Sequence, residues 1–182
     1  MRAFIVCGPQ SSGNRFVASL LLASGCSGDI TTNERLSGLG CENFVLIRHD
    51  NLEHWCRVLR DKGYSKIIGI VCIRHSYACA ASMHSKEKHQ KALDVDTVKK
   101  AYLHRNKTIQ RNILDLTAGA DWIDFLPVES LTTESIPHWL NTLGISPSRI
   151  DANFAIEYWE PGEGKTRQKA KDIRELNRKY FD

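Results

Sequence analysis

Residues 4–25, FIVCGPQSSGNRFVASLLLASG, open with an apolar run and break into small polar residues between two glycines. They then resume with Phe16, Val17, Leu20, Leu21 and Ala23 at helical spacing. That order reads as a buried strand, a tight loop and a helix start, the arrangement whose backbone amides and helix dipole cradle phosphate. Gly8 and Gly13 allow a sharp turn and a close approach of backbone to ligand, and Ser11 and Ser12 supply hydroxyls. A nucleoside triphosphatase places a lysine after the second glycine and a Ser or Thr metal ligand after that. Here Asn14 and Arg15 stand there instead, and Arg15 is a permanent fork of donors.

Three more β-branched-rich runs repeat the buried-strand pattern: FVLIR (44–48), KIIGIVCI (66–73) and WIDFLPV (122–128). Helical periodicity fills the intervals, over 14–24, 51–61, Asp96 to Ala118, and Thr132 to Leu143 before Gly144. Strands alternating with helices predict a three-layer α/β/α domain around a central parallel sheet, with P-loop-NTPase-like architecture. One domain covers 1–182, since this length suits a single core. Residues 28–43 read as a polar, Gly-rich connection, and the charged tail after Glu160 reads as a solvated helix.

The net charge of +4 suits an anionic ligand and is too small to point to nucleic acid. None of the six cysteines forms a CxxC pair or a zinc-type spacing with histidine, and several sit inside apolar runs as small hydrophobes. MRAFIVCG is too short an apolar run for a signal peptide, and no stretch approaches a membrane span. The expectation is a soluble cytoplasmic protein without metal, membrane or nucleic-acid partner.

A second segment extends the chemistry. IRHSYACAASMHS (73–85) puts Arg74 at the carboxyl end of a strand and Ser82 eight residues on. Ligands of open α/β sheets bind outside those strand ends, so the pair can grip a second phosphate displaced from the first.

The two segments together resemble the sulfotransferases that use 3′-phosphoadenosine 5′-phosphosulfate. In that family the first loop holds the 5′-phosphosulfate, which the resemblance assigns to Gly8, Ser11, Ser12, Gly13, Asn14 and Arg15. The form GPQSSGNR is most similar to a bacterial and viral branch whose loop reads roughly GPESSGTR. The family's Arg and Ser eight residues apart hold the 3′-phosphate and match Arg74 and Ser82. LPVESLTTESIPHWLNTLGI (126–145) is similar to a further, mainly structural family segment. The resemblance spans residues 3–145. It departs from the family at Ser11, where a Lys or Arg is usual, and at Asn14, where Thr is usual. The C-terminal RKGxxGDWK loop is also absent as such, with Lys165, Arg167 and Lys169 in a similar place.

Sulfuryl transfer to a hydroxyl or amine needs a base beside the acceptor atom. His49, in RHDNLEH (48–54), matches the family's catalytic histidine best, with Asp50 and His54 as nearby alternatives and His75 and His84 as weaker ones. Arg15 joins His49 and His54 as a catalytic candidate, since positioned cations stabilise the leaving phosphate without a metal clamp. The acceptor is a small molecule or carbohydrate of unspecified kind. Two alternatives stay open: a P-loop kinase or NTPase with Asp50 as its acidic residue, and a non-catalytic nucleotide-binding protein on the same fold.

Overall fold

The computed structural model describes residues 1–29, 36, 39–75, 79, 95–132 and 134–146. Ser82, His84, Lys165, Arg167 and Lys169 lie outside the described residues. Along the chain run β1 (Arg2–Cys7), α1 (Asn14–Ala23), β2 (Ser27–Asp29), β3 (Asn43–Ile47), α2 (Leu52–Asp61), β4 (Lys66–Ile73), α3 (Val95–Thr117), β5 (Trp122–Pro127), a 3-10 turn (Val128–Ser130) and α4 (Ser135–Thr142). The five strands form one all-parallel sheet in the order β2-β3-β1-β4-β5.

The central position of β1 explains its unbroken apolar sequence. Phe4 and Val6 point to one face, where they join Val17, Leu20 and Leu21 of α1 and Leu140 of α4. Ala3, Ile5 and Cys7 point to the other, where they join Leu52, Cys56 and Leu59 of α2 and Leu116 of α3. The sheet is thus covered on both faces, which gives the three-layer α/β/α fold. Its neighbour β3 leads into α2, on the face opposite α1. A crevice therefore opens at the carboxyl end of β1, where ligands of such sheets bind.

α1, α2 and α4 all stop in the same way. A left-handed glycine (Gly25, Gly63 or Gly144) follows the last turn, and the next residue's amide reaches back to the carbonyl of Leu21, Leu59 or Leu140, respectively. These are Schellman caps, and Gly144 ends α4 where the sequence places it. The N-terminus of α2 is capped from a distance, its first amide, Leu52 N–H, donating to Asp115 Oδ2 of α3 at 3.1 Å.

Two expectations need correction. Residues 28–43 are not wholly a connection, because β2 pairs with β3 through Ser27↔Phe44, Gly28↔Val45 and Asp29↔Leu46. A three-residue strand with no apolar side chain gives no hydrophobic signal, and any Cβ at Gly28 would overlap the Val45 backbone. The strand at 122–128 is not fully buried. At the edge of the sheet among the described residues, β5 leaves Trp122 and Phe125 exposed and turns Asp124 toward α4, where Trp139 Nε1–H donates to Asp124 Oδ2 at 2.8 Å.

All six cysteines are free, and all but Cys41 are buried. Burial, with a smaller contribution from Asp115, pushes the Cys7 thiol up to about 12. Burial pushes Cys26 to about 12 and Cys56 to about 11, so these thiols stay protonated and unreactive near neutrality. No helix among the described residues is long and apolar enough to cross a membrane.

Candidate functional site

Between β1 and α1 the chain makes a closed loop whose polar side chains turn inward. Ser12 is fully buried, with its hydroxyl 2.7 Å from Pro9 O and 3.0 Å from Asn14 Oδ1. Asn14 is buried as well, and its Nδ2 donates to Gly8 O at 3.2 Å and Pro9 O at 3.4 Å. Residues 12 and 14 therefore latch the loop's own carbonyls. Asn14 does here what a short polar side chain can do at a helix start, tying down backbone that would otherwise stay mobile. What faces outward is the positive N-terminus of α1, together with Ser11 and the exposed Arg15.

Gly8 is required where β1 turns into the loop. Its φ is +142°, and a Cβ there would lie 2.6 Å from Cys72 O and 2.8 Å from Ser12 Oγ. Gly13, at φ +97°, packs equally closely on Val128 of the turn after β5.

β4 delivers Arg74 to the same place. Its Nη1 donates to Ser11 O at 3.2 Å, and its Nε lies 3.6 Å from Glu129 Oε1. Both Glu129 carboxylate oxygens also accept the His75 amide, at 3.1 and 3.0 Å. Arg74 thus braces the loop against the β5 turn while lining the cavity, and a guanidinium has five N–H donors with which to do both. Cys79 supports the brace from behind, its Sγ 3.7 Å from Ser11 O.

β3 delivers His49. Its Nδ1 lies 3.3 Å from Gly8 O. A neutral imidazole in that contact carries its proton on Nδ1, which leaves Nε2 as the acceptor. The His49 carbonyl accepts from Arg111 Nη2 at 2.8 Å. Asn112, fully buried, bridges the two strand ends in the amide orientation that satisfies both groups. Its NH2 donates to His49 O at 3.3 Å, and its oxygen accepts from Gly8 N–H at 3.2 Å. Behind His49, the buried Arg48 lies over the Trp55 ring, 4.1 Å from its centroid, and fixes the chain where it leaves the strand.

These elements surround a cavity of about 970 Å³. The structure brings Gly8, Ser11, Gly13, Asn14, Arg15, His49 and Arg74 to its wall. Ser12 is behind the wall as a latch. His54 is exposed in the first turn of α2, edge-on to Trp55 with ring centroids 5.6 Å apart, and does not line the cavity. Asp50 and His75 are exposed and do not line it either.

The opposite wall comes from α3, through His104, Lys107, Thr108 and Arg111. Sequence reasoning singled out none of these four. Their spacing of i, i+3, i+4 and i+7 marks one helix face, but a polar face of that kind reads the same whether it meets water or a cavity. No Asp or Glu is among the lining residues, which carry Arg15, Arg74, Lys107 and Arg111 as permanent cations. Such a lining can receive an anion with more than one charged group, and the His49 imidazole lies on the same wall. Among the described residues, no group of three or more His, Cys, Asp or Glu could hold a metal ion.

No family model matches the chain, and no curated protein does. What the site can do is therefore argued from its own geometry.

Proposed function

We propose that the protein is a sulfotransferase that moves a sulfuryl group from 3′-phosphoadenosine 5′-phosphosulfate to a hydroxyl or amine acceptor. The observation that carries this reading is the convergence of three strand ends on one carboxylate-free cavity. The loop after β1 offers the α1 N-terminus and Arg15, β4 offers Arg74, and β3 offers His49.

In this mechanism the α1 amides and Arg15 hold the 5′-phosphosulfate, and Arg74 reaches the 3′-phosphate. His49 Nε2 takes the proton of the acceptor hydroxyl as its oxygen bonds to sulfur. The bond from sulfur to the 5′-phosphate oxygen breaks, and the charge left on that phosphate falls among the same amides and Arg15. The loop has no lysine after Gly13, as a triphosphatase would have, and the chemistry does not call for one. A sulfuryl group carries less charge than a γ-phosphoryl group. The products are the sulfated acceptor and adenosine 3′,5′-bisphosphate.

Incubation with sulfur-labelled donor and a mixed pool of hydroxyl acceptors tests the activity. Appearance of label in an acceptor is the expected outcome. Label that stays on the donor while adenosine 3′,5′-bisphosphate binds tightly would instead mark a nucleotide-binding protein without transfer. Consumption of ATP with magnesium, and none of the sulfated donor, would mark a kinase.

Arg74→Ala should discriminate between nucleotides. Loss of the brace on Ser11 O weakens every ligand of the loop somewhat. Loss of the contact to the 3′-phosphate adds a further tenfold to hundredfold loss for adenosine 3′,5′-bisphosphate, because a charged hydrogen bond contributes about 1.5–3 kcal/mol. Calorimetric titration against adenosine 5′-phosphate gives the comparison, and equal losses for the two would remove Arg74 from the 3′-phosphate site.

A further inference from the structure

The α3 wall has no part in holding the donor as just described, yet it puts two cations, Lys107 and Arg111, on the cavity. Between Val95 and Arg111 the sequence has five Lys or Arg against one Asp, an excess of four. The whole chain has a net charge of +4, so everything else sums to zero. Two of those five cations, Lys107 and Arg111, line the cavity, where no carboxylate among the lining residues offsets them, and their field is directed into it.

The placement of α3 gives that field a target. Leu116 is buried in the core against Gly69 in mid-strand, and one turn earlier Asn112 meets Gly8 N–H and His49 O at the sheet edge. The helix N-terminal to Asn112 therefore runs on past the carboxyl ends of the strands. Arg111 is at the level of His49, touching its carbonyl at 2.8 Å. Lys107 and His104, on the cavity side, follow at about 6 and 10 Å farther along the axis. His49 consequently lies between two cationic walls, the loop with Arg15 and Arg74 on one side and the α3 stripe on the other.

We propose that the α3 stripe, centred on Lys107, is an acceptor subsite for an anionic group, so that the acceptor is a hydroxyl compound that also carries a carboxylate, sulfate or phosphate. The inference rests on the donor reading above, because it is the donor on the loop side that leaves the far side of His49 to the acceptor. The base must reach the acceptor hydroxyl and that hydroxyl must reach sulfur opposite the leaving oxygen, so the rest of the acceptor extends away from the donor, toward the α3 side of His49. Lys107 and Arg111 would take the anion; the Thr108 hydroxyl between them donates to His104 O at 2.9 Å and leaves its lone pairs to accept from a sugar hydroxyl.

The test uses matched sugars, methyl glucoside against methyl glucuronide, glucose 6-sulfate and glucose 6-phosphate. Each is titrated calorimetrically into the full chain, with and without saturating adenosine 3′,5′-bisphosphate. At least one of the three anions should bind roughly tenfold or more tighter than the neutral sugar, with the advantage shrinking as salt rises. Which of the three prevails identifies the anion. Lys107→Glu, a change on an exposed helix face, should abolish that advantage while leaving the affinity for the bisphosphate within about twofold. An anion preference that is absent, or that survives Lys107→Glu, overturns the subsite. A tenfold loss of the bisphosphate in Lys107→Glu also overturns it, by assigning the stripe to the donor. Anion preference without any bisphosphate binding would leave the stripe as an anion site and reject the donor reading, so the two failures are distinct.

Discussion

His49→Ala is expected to lower turnover by roughly two to four orders of magnitude with little change in donor affinity, the range a general base contributes. The geometry supports a base and not merely a contact. Nδ1 is held at Gly8 O, the carbonyl of the same residue is fixed by Arg111 and Asn112, and Nε2 is left to accept a proton. A group that acts only as the proton leaves contributes to the transition state and little to ground-state binding, so kcat falls while the donor dissociation constant stays. His54→Ala should leave turnover within a fewfold, because that ring stands outside the cavity. Kinetics on both variants with labelled donor settle the order. Near-normal turnover in His49→Ala would end its assignment as base.

The second large effect is expected at Gly8. Alanine there would place Cβ 2.6 Å from the Cys72 carbonyl oxygen at a φ of +142°. Neither the β4 backbone nor the loop can yield without moving the Ser12 and Asn14 latches that close on the same spot. Strain of this kind costs roughly 1–3 kcal/mol, or about 2–12 °C in Tm for a domain of this size. Because the loop itself is displaced, bisphosphate binding should weaken by about a hundredfold or more, equivalent to roughly 2.7 kcal/mol or more. Gly40→Ala is the control. It shares a positive φ, +94°, but a Cβ would meet nothing within 4 Å, so it should cost some stability and no affinity. Equal binding by Gly8→Ala and Gly40→Ala would contradict the loop's role.

Much of the scaffold was legible because its signals are local. β1, the loop and α1 form one continuous switch from an apolar run to helical period, and β4 occupies the residues its β-branched run marks, Lys66–Ile73. The adjacency of β1 and β3 that brings His49 to the loop is present in the register Val6↔Ile47. What escaped the sequence depends on partners far along the chain. Asn112 is one polar residue in an amphipathic helix, and its meaning lies in two backbone groups, at Gly8 and His49, supplied by other strands. The same holds for Asp115 at the start of α2.

His49 and His54 could not be ranked by spacing alone. Asn51, at φ +50°, turns the chain between them and leaves the second histidine on the outer side of α2. The inward turn of Ser12 and Asn14 is likewise a matter of loop geometry, since the same residues facing outward would be ligands. Asn14 in place of a threonine therefore reads as a change of latch rather than a missing donor contact.

Calorimetric titration of adenosine 3′,5′-bisphosphate in excess EDTA tests the central claim most directly. In the proposed reading Arg15, Arg74 and the α1 N-terminus hold both phosphates, so saturable one-to-one binding is expected that is unchanged by added magnesium and at least tenfold tighter than that of adenosine 5′-phosphate. Binding that appears only with magnesium, or that ignores the 3′-phosphate, would contradict it.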